Sequence, residues 1–299
     1  MKNIVLAFIV LISTLCASAQ NTETDTTEKS TQKWISINRD ITIAEYFEYL
    51  DSVIDLQSPD MLLTEHLLIR ANPRIIDSLA NTDYYLQIAK DRFVFDQKAS
   101  VVLHKGDSLR LPDPGNIKTL SQTFQITLID INIPEFKLRI YEDSVLIHTY
   151  PIRVGRNEKK FLAVNNRVTN LQTITGDGYI VRYEKDPVFI NPVDGKRFYL
   201  TKRDDNRTTL MPRIPWIETK INGIHNGQMI HPTTNPVTLG LAYSNGCIGT
   251  NESDMWHIYY YAPIGTKVRI RYDLNVVDTL GVPILLKDIY LRALETNKK

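Results

Sequence analysis

The sequence predicts a mainly β domain preceded by a small, mostly helical region. From residue 122 onward, apolar and polar residues alternate in short runs, a pattern typical of strands with one buried face. Residues 41–111 instead place their apolar residues at helical spacing. The stretch Pro112-Asp113-Pro114-Gly115 separates the two patterns and predicts a boundary there.

Three segments predict the helical region, which we place at residues 41–115. Residues 43–54 have a helical apolar pattern, Thr64 is a candidate N-cap for a second helix, and Pro73 opens a third segment. Residues 101–112 then indicate strand, turn and strand. We interpret the region as a packing domain, although its last dozen residues faintly resemble the end of a LysM glycan-binding module.

The β domain is predicted to cover residues 122–273. Its predicted strands span residues 124–131, 137–141, 145–154, 178–183, 188–190, 198–200 and 268–272. A helix is predicted between Asn251 and Tyr261, with Asn251 or Ser253 as its cap. Residues 274–299 are interpreted as a packing extension.

The amino terminus has the pattern of a secretory signal. Lys2 precedes an apolar run too short to span a bilayer, and Ala17-Ser18-Ala19 has the small-x-small form of a cleavage site. We therefore expect residues 1–19 to be removed, residues 20–40 to form a polar linker, and the protein to be exported to the periplasm or cell-wall space. Lipid attachment at Cys16 stays open but is disfavoured, because the bulky Leu15 precedes it.

The near-zero net charge of the chain gives no reason to expect a nucleic-acid partner. The formal net charge is +1, and removing residues 1–19, whose only charged residue is Lys2, leaves equal numbers of basic and acidic residues. Such a balance predicts no nucleic-acid partner. No later run approaches 18 apolar residues, so no transmembrane segment is expected after signal cleavage.

Cys247 is the only cysteine expected after signal removal. A single exported thiol is a buried bystander, an intermolecular bridge or a reactive group. The nearby Gly246 and Gly249 favour reactivity, because a nucleophilic thiol needs a base and backbone N–H groups close to the reacting carbonyl. His225, 22 residues upstream, is the candidate base.

A metal site is the alternative interpretation of the histidines. His225, His231, His257 and Cys247 are four potential zinc ligands, but their spacing matches no compact zinc pattern. We therefore predict neither a metal nor any other cofactor. His231 is interpreted as a loop residue, and His257 as a residue of a helix surface or a packing interface.

Several motifs together resemble the L,D-transpeptidase catalytic domain (the YkuD family), over roughly residues 122–273. The motifs are Phe136–Asp143, Tyr150–Gly155, His225, Leu239-Gly240, Ser244-x-Gly246-Cys247-Ile248, Asp254 and Gly265-Thr266-x-Val268-x-Ile270. The resemblance implies a β-sandwich enzyme that acts on peptidoglycan. Its cysteine would attack the bond before the terminal D-alanine of a tetrapeptide stem, and an amine of a neighbouring stem would resolve the thioacyl-enzyme into a 3→3 crosslink.

The resemblance also implies roles for individual residues. Cys247 would be the nucleophile, His225 the proton acceptor and donor, and the backbone carbonyl of Asn226 would orient His225. The backbone N–H groups of Asn245, Gly246 and Cys247 would form the oxyanion hole. Ser244 would shape the turn and, with Tyr243 and Arg153, contact the substrate.

This chain departs from the common family motif at three places. Asn245 stands where histidine is commoner, Gly249 where arginine is commoner, and Asn226-Gly227 where Gly-Thr usually follows the histidine. The missing arginine could have helped to hold substrate carboxylates. Arg153, Arg156 and Arg182 are the candidates to replace it.

Three functions remain open from the sequence. The first is an L,D-transpeptidase acting on donor and acceptor stem peptides of peptidoglycan. The second is an L,D-carboxypeptidase, in which water resolves the same thioester. The third is a non-catalytic peptidoglycan-binding protein on the same scaffold, with residues 41–111 supplying the binding.

Overall fold

A computed structural model of the protein describes residues 33–57, 62–162, 166–191, 194–278 and 280–292. These residues form one compact unit. The helices of the described residues are α1 (Ile43–Asp55), α2 (Glu65–Arg70), α3 (Pro73–Ala80), α4 (Tyr84–Ile88), α5 (Pro114–Ile126) and α6 (Glu252–Tyr261).

Strands outnumber helices, so the prediction of a mainly β fold is confirmed. The strands before residue 160 are β1 (Trp34–Ser36), β2 (Ile41–Thr42), β3 (Val101–Leu103), β4 (Ser108–Arg110), β5 (Thr127–Asn132), β6 (Lys137–Glu142), β7 (Val145–Pro151), β8 (Val154–Gly155) and β9 (Lys159–Leu162). The later strands are β10 (Arg167–Asn170), β11 (Gly176–Glu184), β12 (Leu200–Lys202), β13 (Thr208–Leu210), β14 (Trp216–Ile221), β15 (Ile224–Pro232), β16 (Ala242–Ser244), β17 (Ile248–Thr250), β18 (Lys267–Arg271), β19 (Asn275–Val277) and β20 (Pro283–Leu285).

One mixed sheet of eight strands organises the fold, in the order β17-β15-β14-β11-β18-β5-β6-β7. Most neighbours are antiparallel, but β15–β17 and β18–β5 are parallel pairs. β17 therefore lies at one edge of the sheet, with β15 as its neighbour. This edge, where β16 and β8 form a separate parallel pair, carries the residues of the site described below.

The predicted helices of the amino-terminal region are present. A capping box starts α1, since the Thr42 N–H donates to the Glu45 carboxylate at 3.3 Å. The Thr64 hydroxyl caps α2 by accepting from the Leu67 N–H at 3.3 Å. These helices pack on α6, whose Tyr259 and Tyr260 hydroxyls both donate to the buried Glu65 carboxylate, at 3.0 and 2.9 Å.

The structure differs from the predicted elements in two places that matter for the site. Residues 124–126 end α5 instead of opening a strand, because Asp113 caps the helix and Pro114 occupies its first turn. The second difference is the β14–β15 hairpin, which covers a segment where no strand was predicted. Residues 188–190 form only an isolated bridge at Ile190.

Some predictions fall on residues outside the described ranges. These are the signal peptide at residues 1–19 with Cys16, most of the linker at residues 20–40, and the last seven residues of the carboxyl-terminal extension. Within the described residues, no helix combines the length and apolar character that a membrane crossing requires.

Candidate active site

The turn before β17 holds Cys247 in a defined backbone conformation. The Ser244 hydroxyl accepts from the Gly246 N–H at 3.1 Å and donates to the Cys247 carbonyl at 2.6 Å, so one side chain ties both flanks of the turn. Gly246 has φ +117°, a conformation that residues with a side chain rarely adopt. A Cβ atom at this position would lie 2.7 Å from the Gln228 amide nitrogen, so the Gln228 side chain would have to shift. The backbone conformation is therefore the main reason for glycine here.

Cys247 is half-buried and is not part of a disulfide. Burial raises the pKa of its thiol, while a hydrogen bond from the Met229 backbone and the charge of Arg153 act in the opposite direction. Because burial is the largest of these effects, the resting side chain is a neutral thiol at neutral pH. It therefore needs a base that accepts its proton when the sulfur attacks.

His231 is the histidine that the fold pairs with β17, the strand that begins one residue after Cys247. In the parallel pair β15–β17, His231 is the register partner of Gly249. Partners in a ladder share a face of the sheet, so His231 and Gly249 are directed to the same side. Ile230 and Ile248, which alternate with them, are buried in the core.

Neighbouring groups set the tautomer and the charge of His231. Its Nδ1 lies 2.9 Å from the Pro232 carbonyl oxygen, which can only accept, so Nδ1 carries the proton and Nε2 is the basic nitrogen. Trp216 stacks on the ring with a centroid distance of 4.2 Å. Burial lowers the pKa of His231 to about 4, and the nearby Arg153 charge adds to this effect. The imidazole is therefore neutral and able to accept a proton.

The polar contact described for His225, the predicted base, is made on β14, so this role stays a prediction and His231 is a second candidate. His225 is the second residue of β15, and its Nδ1 lies 3.4 Å from the Glu218 carboxylate on β14. Because β14 and β17 flank β15 on opposite sides, this contact draws the imidazole away from the strand that follows Cys247. More than half of the side chain is exposed.

The role predicted for the Asn226 carbonyl depends on His225 being the base. For His231, the carbonyl that orients the ring belongs to Pro232, the next residue. Asn226 instead accepts a hydrogen bond from the Gln228 N–H at 2.8 Å through its side chain. A sequence signal for His231 was present, since Thr233 stands two residues after it, where the family motif has threonine, whereas Gly227 stands at that place after His225.

Of the three backbone N–H groups predicted to form the oxyanion hole, one has a partner within the turn. The Gly246 N–H donates to the Ser244 hydroxyl and is therefore engaged within the turn. Asn245 and Cys247 remain the candidate backbone donors. The exposed Asn245 side chain accepts from Arg156 at 3.1 Å.

Arg153 lies where a side chain of residue 249 would otherwise be. Its backbone N–H donates to the Gly249 carbonyl at 2.9 Å, and its carbonyl accepts from the Gly249 N–H at 3.0 Å. A Cβ atom on Gly249 would lie 2.5 Å from the Arg153 Nε and 2.7 Å from its Cγ, so the arginine side chain covers this glycine. Its Nη1 donates to the Thr238 hydroxyl at 3.3 Å, and its Nε is buried without a partner among the described residues.

The other two candidate arginines have structural partners. The Arg156 guanidinium donates to the backbone carbonyls of Tyr243 and Ser244, at 3.3 and 3.4 Å. It also lies over the exposed Tyr243 ring, 5.7 Å from the ring centroid, and so stabilises the turn. Arg182 is on the exposed surface of β11, where it pairs with Glu184 and Glu218.

A small cavity of about 110 Å³ opens beside these residues, lined in part by Arg153, Trp216 and His231. His257 does not line this cavity; it is on α6, where its Nε2 lies 3.5 Å from the Asp77 carboxylate. Among the described residues, no three His, Cys, Asp or Glu side chains are grouped as metal ligands would be.

Residues 126–270 match the family model of YkuD, the L,D-transpeptidase catalytic domain. The chain is 26% identical to the probable L,D-transpeptidase ErfK/SrfK of Escherichia coli over 175 residues, which cover 55% of this chain and 52% of that protein. It is 28% identical to the putative L,D-transpeptidase YkuD of Bacillus licheniformis over 165 residues, covering 55% of this chain and 74% of that protein. The matched part thus spans about half the length of the E. coli relative.

The similarity to solved structures is more remote. An L,D-transpeptidase from Mycobacterium tuberculosis aligns with a TM-score of 0.33 at 18% identity, covering 49% of this chain and 57% of that one. An L,D-transpeptidase from Xylanimonas cellulosilytica aligns with a TM-score of 0.36 at 13% identity, covering 79% of this chain and 97% of that one.

Proposed function

We propose that this protein, whose residues 126–270 match the family model of the YkuD L,D-transpeptidase catalytic domain, forms 3→3 crosslinks in peptidoglycan through a thioacyl-enzyme on Cys247. The proposal includes export to the periplasm or cell-wall space, where tetrapeptide stems are the donors and amines of neighbouring stems the acceptors. The observation that supports it is the register of His231 with Gly249, two residues beyond Cys247, together with the neutral state of this imidazole.

Acylation would begin with a proton transfer. The His231 Nε2 accepts the thiol proton as the Cys247 sulfur attacks the carbonyl carbon before the terminal D-alanine. A C–S bond forms, and the carbonyl oxygen takes the negative charge, facing the N–H groups of Cys247 and Asn245. As the C–N bond breaks, the imidazolium returns the proton to the leaving amine, and D-alanine departs.

Deacylation would reverse these roles. An amine of a second stem attacks the thioester carbonyl and gives a proton to His231. A new C–N bond forms, the C–S bond breaks, and the sulfur recovers its proton from the imidazolium. When water attacks instead, the same steps yield a tripeptide, which is the L,D-carboxypeptidase alternative.

Arg153 is our proposed partner for a substrate carboxylate. It covers Gly249, lines the cavity beside His231, and its charge acts on Cys247. A half-buried guanidinium with an unpartnered N–H is suited to a carboxylate, since charge-assisted hydrogen bonds are stronger where water is excluded. Tyr243, which is exposed next to the turn, is proposed as a second contact for the stem peptide.

Incubation with disaccharide tetrapeptides tests the function. Mass spectrometry should detect released D-alanine and a crosslinked dimer, both absent for Cys247→Ala. A carbapenem should add its mass to the wild-type protein and not to that variant. A product that is tripeptide alone would favour the carboxypeptidase, and full D-alanine release by Cys247→Ala would refute both enzymatic proposals.

One observation keeps the binding alternative under test. A groove of about 440 Å³ in the amino-terminal region is lined by the half-exposed Trp34 together with Asn72, Arg74 and His104. Exposed aromatic and polar side chains in a concave surface suit a polar ligand such as a glycan. Sedimentation with purified peptidoglycan, comparing wild type with Trp34→Ala, would show binding that is independent of Cys247.

A further inference from the structure

The segment after residue 270 lies outside the catalytic-domain match, yet it reaches the site through Tyr290. This tyrosine is 2% exposed and stacks on Tyr272 with a centroid distance of 5.2 Å. Its hydroxyl donates to the Gly155 carbonyl at 2.7 Å and accepts from the Thr173 N–H at 3.1 Å. The carboxyl-terminal segment is therefore anchored in the interior.

Thr173 continues this connection to the catalytic turn. Its side chain is fully buried, and its hydroxyl accepts from the Gly155 N–H at 2.8 Å. The same hydroxyl donates to the Gly246 carbonyl at 2.9 Å. Tyr290, Thr173 and Gly246 thus form a continuous series of hydrogen bonds that ends one bond before the peptide nitrogen of Cys247.

The geometry of the peptide bond links this series of hydrogen bonds to the direction of the Cys247 N–H. The carbonyl of Gly246 and the N–H of Cys247 belong to one planar trans peptide and point in opposite directions. Because Thr173 binds the carbonyl on the interior side, the N–H of Cys247 is directed to the other side. Rotation of this peptide would turn that N–H away, and the Gly246 backbone has the freedom to rotate that only glycine has.

We propose that Thr173 and Tyr290 are positioning residues for the oxyanion hole, and that they hold the Gly246–Cys247 peptide so that the Cys247 N–H faces the substrate carbonyl oxygen. The inference rests on the proposed acyl transfer to Cys247. It makes the carboxyl-terminal segment a part of the catalytic apparatus, where the sequence indicated only a packing extension.

Conservative variants test the proposal. Tyr290→Phe keeps the stacked ring and removes the hydroxyl, and Thr173→Val keeps the shape and removes the donor. Each should lower kcat for D-alanine release by about tenfold with little change in KM, because oxyanion stabilisation acts in the transition state. The double variant should be hardly worse than either single variant, since both act through one series of bonds.

A matched control separates positioning from general stability. The Tyr183 hydroxyl also donates to a backbone carbonyl, that of Ala262 at 2.5 Å, and Tyr183→Phe should leave kcat within about twofold. When iodoacetamide alkylates Cys247, the sulfur attacks a saturated carbon, so this reaction needs no oxyanion hole. Its rate should be unchanged in Tyr290→Phe, whereas acylation by a carbapenem should slow.

These measurements also distinguish the proposed transpeptidase function from the proposed positioning role of Thr173 and Tyr290. Equal losses of kcat in Tyr290→Phe and Tyr183→Phe, or equal slowing of alkylation and acylation, would overturn the positioning role. If the wild type is acylated by a carbapenem but releases no D-alanine, the transpeptidase function fails while the acylation rates still decide the role of Tyr290. If Cys247 cannot be acylated at all, both proposals fail.

Discussion

His231 is the register partner of Gly249, two residues beyond Cys247, so strand pairing fixes the position of this histidine. The contact of its Nδ1 with the Pro232 carbonyl fixes the proton on that nitrogen and leaves Nε2 basic. Trp216 covers one ring face and restricts the ring orientation. A backbone carbonyl thus sets the tautomer of His231, and no third side chain is needed for this.

Replacement of the two histidines should have different effects. His231→Asn should lower kcat/KM for D-alanine release by about 10²- to 10⁴-fold, the usual contribution of general acid–base catalysis. His225→Asn, which has lost only an exposed contact with Glu218, should stay within about threefold of wild type. The reverse ranking, measured with equal amounts of folded protein, would identify His225 as the base.

The pH dependence should be that of a neutral pair. His231 must be unprotonated to accept, and burial lowers its pKa to about 4, so kcat/KM should persist through pH 5 and be lost as the pH falls through about 4. Burial raises the pKa of the Cys247 thiol, so iodoacetamide alkylation should accelerate only above the ordinary thiol range. Fast, pH-independent alkylation at pH 6 would indicate a preformed thiolate instead.

An arginine at position 249 should be able to replace the side chain of Arg153. Arg153→Ala should raise KM by about tenfold or more if the guanidinium binds a substrate carboxylate. Gly249→Arg alone should destabilise the fold by roughly 1–3 kcal/mol, because its Cβ would crowd the Arg153 side chain. The combination Arg153→Ala/Gly249→Arg should regain stability and part of the lost affinity. No recovery in the double variant would contradict a shared role.

Two glycines with positive φ provide a matched comparison. Gly246 (φ +117°) and Gly240 (φ +79°) would both be strained by alanine, at a cost of about 1 kcal/mol or more. A Cβ on Gly240 meets nothing within 4 Å, whereas one on Gly246 would meet Gln228 at 2.7 Å. Urea denaturation should therefore show the larger loss for Gly246→Ala, and only this variant should lose activity. Equal effects would argue against close packing of the turn on Gln228.

Acid should destabilise the fold through its buried histidines. Burial lowers the pKa of His66 to about 4, below the value of about 6.5 in an unfolded chain. The unfolded state therefore binds more protons between these values, so stability falls as the pH drops from about 6.5 to about 4, by roughly 3 kcal/mol for one such group. His66→Phe, which can keep the stacking on Tyr183, should flatten this slope in urea titrations at pH 7 and pH 5.

Much of the fold could be predicted because its signals are local. The alternation at residues 137–141 and the caps at Thr64 and Asn251 identified elements that the structure contains. Asp113-Pro114 was interpreted as a break, although a capping aspartate followed by proline also begins helices, as it does in α5.

The choice of histidine depended on information that is not local. Strand β15 pairs with β17 across 15 intervening residues, and no periodicity within either strand states that register. With the β14–β15 hairpin unrecognised, no strand register could decide between His225 and His231, and Thr233, two residues after His231, was the local signal that favoured the second. The covering of Gly249 by the Arg153 side chain could not be predicted for the same reason. It depends on the pairing of two short segments that are almost a hundred residues apart in the sequence.

The parallel pairing of β15 with β17 has a consequence for how such sites diverge. Parallel strands cannot be joined by a tight turn, so a long crossover between the imidazole and the sulfur is a geometric necessity. That crossover can gain or lose residues while the ladder keeps the same residues opposite each other. Descendants of one ancestral site can therefore drift in histidine–cysteine separation without moving the chemistry, and a search that fixes this separation will overlook true relatives.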